Sequence, residues 1–187
     1  STHPVSAPFM VIATQNPIEQ AGTYRLPEAQ LDRFLLHIAL DYPGEEDERA
    51  IIDQTTGAAP AQVPRVMGGE DVLALQALVR QVHVGEDLLA WITRLVRATR
   101  PGEGAPQLVR EYVKWGAGPR AGQALVLAAK ARALLHGRLA ATREDVQALA
   151  APVLRHRLLL SFAAEAEGKR PDALVAALLD ELPFPGG

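Results

Sequence analysis

The stretch Phe9 to Phe34, FMVIATQNPIEQAGTYRLPEAQLDRF, decides how this chain folds at its start. Its first six residues, Phe9 to Thr14, form a continuous apolar run with β-branched members, and Asn16-Pro17 stops it. Such a run predicts a short strand buried on both faces, as in parallel α/β sheets. Pro27 to Arg33 has helical composition, and Leu35 to Leu40 (LLHIAL) repeats the apolar pattern before Asp41, Pro43 and Gly44. Strand, loop, short helix and strand make an α/β unit. Two strands alone cannot cover their own edges, so the pattern predicts that the chain begins inside a domain and that Ser1 is not a natural N-terminus.

Working outward, Glu45 to Thr55 reads as a charged helix whose first four acids, Glu45 to Glu48, sit where the helix dipole favours them. Gly57 to Pro64 (GAAPAQVP) reads as a linker. From Glu70 onward helical period takes over: Val72, Leu75, Leu78 and Val79; Leu88, Leu89, Ile92, Leu95 and Val96; then Ala121, Ala124, Leu125, Ala128, Ala131 and Leu135. Thr142 with Asp145 three residues on resembles a capping box, and Pro171-Asp172 opens a last helix. The expected fold is mostly α with a small α/β part: residues 1–56 α/β, 57–68 linker, 69–187 a helical bundle.

Composition narrows the function classes. The 187 residues are 48% hydrophobic, enough for a packed core, and the net charge of −3 offers no basic field for nucleic acid. The absence of cysteine excludes disulfides, iron–sulfur clusters and thiolate zinc sites within these residues. No apolar run reaches the roughly 18–20 residues that span a membrane, since Arg155, His156 and Arg157 precede Leu158 to Leu160. With no signal-peptide pattern at Ser1, a cytoplasmic protein is the expectation. His3, His37, His83, His136 and His156 lack metal-ligand spacing, so no metal ligand is expected.

Three constellations carry chemistry. Asn16 follows the first apolar run, where ligands of open α/β sheets bind, and Pro17 biases it toward extended backbone. It could orient a water or touch a phosphate oxygen, or simply initiate a turn. Arg33 lies between a short helix and an apolar run, placed to reach a neighbouring molecule or to pair with Asp32 or Glu28. Pro119 suits a first helical position and puts Arg120 in the first turn. A cation there opposes the dipole by about 0.3–1 kcal/mol. Either a bound anion offsets that cost, or solvent screens it.

Phe9 to Phe34 resembles the segment of MoxR-type AAA+ ATPases that runs from the sensor-1 strand to the arginine finger. Gly116-Ala-Gly-Pro-Arg-Ala121 looks like that family's sensor-2 motif, and Ala150 to Ser161 (AAPVLRHRLLLS) resembles the stretch closing its helical lid. The resemblance covers nearly the whole chain. It implies the C-terminal end of an AAA+ α/β core followed by a lid bundle, with Asn16 as sensor 1, Arg33 as a finger acting on a neighbour's nucleotide, and Arg120, with Pro119, as sensor 2. Ser1 to Ala7 would end the β-hairpin that precedes sensor 1. Two positions depart from the pattern: Gly118, where the family more often has serine, and Arg25, where it commonly has proline.

The resemblance further implies ATP and Mg2+ as cofactors, a homo-oligomeric ring, a hexamer above all, and a bacterial chaperone-like role with a von Willebrand factor A domain partner and client proteins. No Gly-x-x-x-x-Gly-Lys-[Ser/Thr] and no Walker B strand occur in these residues, so ATP and Mg2+ would be held mainly by residues outside them. The chain alone is therefore expected to be inactive, with the ATPase activity belonging to a longer parent. The alternative is a stand-alone helical protein-interaction module without nucleotide chemistry.

Overall fold

The computed structural model describes residues 3–15, 26–57 and 63–185. Among the described residues the first helix is a single turn, α1 (Glu28–Leu31), followed by α2 (Glu45–Thr56), which carries its four acids in the first turn and buries none of its residues. The expected strands do not form. Phe9 to Thr14 and Leu35 to Leu40 carry no ladder, and apart from Leu36, which packs against the bundle core, their large side chains face solvent: Ile12 is 77% exposed, Ile38 70% and Leu40 89%. A strand exists only through a laddered partner strand, and among the described residues neither run has one. Their apolar character is real, but among the described residues most of it stays uncovered.

The remaining elements form one helical bundle: α3 (Gly69–Gln81), α4 (Glu86–Ala98), α5 (Gln107–Tyr112), α6 (Pro119–Leu135), α7 (Arg143–Leu154), α8 (Phe162–Ala166) and α9 (Pro171–Glu181). Helix α6 is its axis, packed by α3, α4 and α7, while α9 closes the far side against α4 and α7. The periodicity explains why. Ala121, Ala124, Ala128, Ala129 and Ala133 put a buried small-residue face on α6, and ridges from neighbouring helices can approach it closely. Trp91, Ile92 and Leu95 of α4 meet Leu125, Val146, Val153, Leu154 and Leu178 in a core from which solvent is excluded. Helix α3 contributes less, burying no residue fully.

Two features exceed the sequence expectation. A two-stranded antiparallel ribbon joins β1 (Val113–Trp115) to β2 (Leu159–Leu160), pairing Val113 with Leu160 and Trp115 with Leu159. The capping box at Thr142 is also the centre of an ion cluster. Asp145 accepts the Thr142 amide at 2.9 Å, Arg132 at 2.6 Å and both terminal nitrogens of Arg138 at 2.6 and 2.7 Å. Its carboxylate is fully buried, and the Arg138 hydrogen bonds hold its pKa well below the usual carboxylate range.

Candidate functional site

The start of α6 is built by the end of α4. Thr99, fully buried, donates its hydroxyl to the Val96 carbonyl at 2.7 Å and accepts the Ala117 amide at 2.9 Å. Arg100 Nε donates to the Ala117 carbonyl at 2.9 Å. Both backbone polar groups of Ala117 are thus fixed from one side. The approach is so close that a Cβ on Gly116 would lie 2.3 Å from the Thr99 carbonyl oxygen, which leaves glycine as the residue that fits.

From that anchored loop the chain enters α6 with Gly118 as N-cap and Pro119 at the first position. Glycine has no side chain to accept a first-turn N–H, so this helix start is uncapped. Arg120 stands in that turn, exposed, and makes no hydrogen bond or ion pair among the described residues. A solvent-open cavity of about 340 Å³ runs along the loop, walled by Arg100, Lys114, Trp115 and Gly116 to Gly118. The local chemistry suits an anion: an uncapped helix N-terminus, three cationic side chains on or beside it, and a rigid backbone.

Arg33 follows α1. Its side chain is exposed and forms no ion pair among the described residues; Asp32, one of the two partners considered from sequence, is bonded instead to Arg157 Nε at 2.9 Å. Residues 32–37 lie along the end of α7. Arg157 Nη2 donates to the carbonyls of Asp32 at 2.9 Å and Phe34 at 2.6 Å, and Arg155 Nη1 donates to His37 O at 3.0 Å. His37 N–H returns a bond to Pro152 O at 2.8 Å, and Arg155 grips Asp172 of α9 with two bonds of 2.9 and 2.7 Å. Arg155 and Arg157, which from sequence merely interrupt an apolar run, are therefore the groups that attach this segment to the bundle. Long-range bonds to backbone carbonyls leave no local sequence signal.

His156 stands between these two arginines, with Nε2 3.2 Å from the Phe34 carbonyl and its ring edge-on to His37 at 5.9 Å. Burial, and then the Arg157 charge, push its pKa down to about 4, so the ring is neutral near pH 7. A carbonyl only accepts, which assigns the proton to Nε2. Burial lowers the Arg157 pKa as well, while Asp32 opposes that shift and the charge of Arg120 adds to it. Asn16 lies outside the described residues.

Comparison with known proteins places the chain first in a class and then in a family. Residues 105–178 match the AAA lid domain, and residues 1–36 match the ATPase family associated with various cellular activities. The chain is 40% identical over 185 residues to chaperone MoxR1 of Mycobacterium tuberculosis, covering 98% of this chain and 49% of that one. It is 36% identical to protein MoxR of Paracoccus denitrificans, covering 92% of this chain and 53% of that one. The crystal structure of a presumed ATPase from Cytophaga hutchinsonii superposes with a TM-score of 0.91 at 36% identity, over 98% of this chain and 56% of the other. This chain is a MoxR-family AAA+ homologue. It spans about half the length of the curated relatives it matches.

Proposed function

We propose that this chain supplies the sensor, finger and lid part of a MoxR-type AAA+ ATPase, whose phosphate loop and Walker B strand lie elsewhere in a longer parent protein. The observation that carries the proposal is the start of α6. Arg120 stands unpaired on an uncapped helix N-terminus whose preceding loop is fixed by Thr99 and Arg100. Such a position is mildly unfavourable until an anion arrives, and a nucleotide γ-phosphate is that anion. ATP and Mg2+ would be held mainly by residues of the parent outside this chain. Asn16, as sensor 1, would orient the attacking water.

In this reading Arg33 reaches the nucleotide of an adjacent copy, so the enzyme works as a ring, most simply a hexamer. Charge building on the transferring phosphoryl is what such a guanidinium stabilises. The ring would turn ATP hydrolysis into chaperone-like remodelling of client proteins in the bacterial cytoplasm, with a von Willebrand factor A domain protein as partner. Arg33→Ala in the full-length protein should leave nucleotide affinity within about twofold while lowering turnover by up to about 10³–10⁵. Mixing that variant with a Walker-B-dead variant tests the trans arrangement. Subunit exchange should restore part of the activity, because some boundaries then carry both intact parts. Absence of any recovery would return Arg33 to the exposed surface arginines.

A further inference from the structure

We infer that Arg157 is a positioning residue that fixes the Arg33 segment to the lid, so that the finger and the lid move as one body. This inference rests on the proposed role of Arg33. The pattern of contacts carries it. Arg157 is only 7% exposed, and its guanidinium bonds to Asp32 Oδ1, to the carbonyls of Asp32, Phe34 and Leu35, and to the Val153 carbonyl at the end of α7. It holds the residues on both sides of Arg33 and leaves the Arg33 side chain free. The Arg33 amide is also tied, to Gln30 O at 3.2 Å.

A buried guanidinium is costly unless its donors are satisfied, and an apolar side chain could fill the same space without that cost. What arginine adds is a planar fork able to bond several fixed carbonyls together, which a lysine ammonium cannot reproduce. The clamp is reinforced at its far end by Arg155, which links His37 to Asp172 of α9, and by His156 on Phe34. Helix α6, carrying Arg120, packs directly on α7. A lid displacement caused by nucleotide at Arg120 would therefore be delivered through Arg157 to Arg33, and so to the next subunit's site.

The test compares Arg33→Ala, Arg157→Lys and the double variant in the full-length protein, reading turnover and nucleotide affinity separately. If Arg157 acts through Arg33, Arg157→Lys lowers turnover by about tenfold or more with affinity within about twofold, and the double variant is no slower than Arg33→Ala. Turnover near wild type, or losses that multiply in the double variant, would overturn the inference. Hydrogen exchange supplies a readout that does not depend on Arg33 being a finger. In Arg157→Lys the His37 amide should exchange about tenfold faster while α6 and α7 keep their protection. Unchanged exchange at His37 would refute the clamp. A normal clamp by exchange together with full activity of Arg33→Ala would instead refute the finger reading. Should Arg157→Lys not melt cooperatively, Asp32→Asn, which loosens the same clamp from its more exposed side, replaces it throughout.

Discussion

The apolar runs at residues 9–14 and 35–40 and the bundle from α4 to α9 are both rich in apolar side chains, yet only the second hides most of them. Trp91, Leu95 and Leu125 are completely buried, whereas Met10, Ile12 and Leu40 are at least 77% exposed. The difference is architectural. An amphipathic helix satisfies its own backbone and needs only one neighbour for its apolar stripe, while a strand apolar on both faces needs partners at its edges and layers above and below. The bundle therefore contains its own stabilisation. The N-terminal runs hold apolar surface that would gain stability only against further structure.

The sharpest way to break this comparison is to truncate one large apolar side chain in each region. Trp91 packs edge-on against Phe184 at 5.6 Å and donates its indole N–H to Leu182 O at 3.3 Å. Trp91→Ala should destabilise the chain by about 3–5 kcal/mol, read as a lowered denaturant midpoint. Ile12→Ala should change it by less than about 0.5 kcal/mol. A large loss for Ile12→Ala would mean that the N-terminal run is packed after all.

A smaller effect is expected at Asp145, where two arginines and an amide converge on one buried carboxylate. Arg132 and Arg138 are about a third exposed and can turn to water once the carboxylate is gone. Asp145→Ala should therefore cost about 2 kcal/mol, below the full penalty of an orphaned buried ion pair. A denaturation curve indistinguishable from wild type would show that the cluster is only a solvated face.

The attachment between the two regions should respond to pH. His156 has a pKa of about 4 in the folded chain against an ordinary 6.5, so between these values the unfolded chain binds the extra proton. The contribution of this group is complete above pH 6.5 and is lost as pH falls toward 4. His156→Gln should flatten stability across that window, measured by denaturant midpoints at several pH values. A slope as steep as that of wild type would assign it to other groups.

How much of this was legible depended on the range of the interactions. The alanine period of α6, the Thr142–Asp145 spacing and Pro171 at the start of α9 are local signals, and each forms the expected structure. The ribbon of Val113–Trp115 with Leu159–Leu160 was not legible, because runs of three and two residues carry no period. Thr99 and Arg100 were also silent, since they act on a peptide 17 and 18 residues away. The same holds for Arg157, whose partners around Arg33 lie more than 120 residues earlier. At the candidate site, Pro119 put Arg120 in the first turn of α6, as the structure has it, and left an anion or solvent as its partner, while the glycine contact that fixes its loop needed coordinates.

The central claim is that the lid reads nucleotide through Arg120. The direct test is a set of melting curves for the full-length protein and its Arg120→Ala variant, each with and without saturating ATP analogue. Ligand at about a hundredfold over its Kd should stabilise the wild type by about 2.7 kcal/mol. Arg120→Ala should melt at the same temperature or slightly higher when free, because a cation opposing the dipole has been removed, and should lose most of the nucleotide-induced rise. An undiminished rise in the variant would contradict the account and leave Arg120 as a solvated arginine at a helix start.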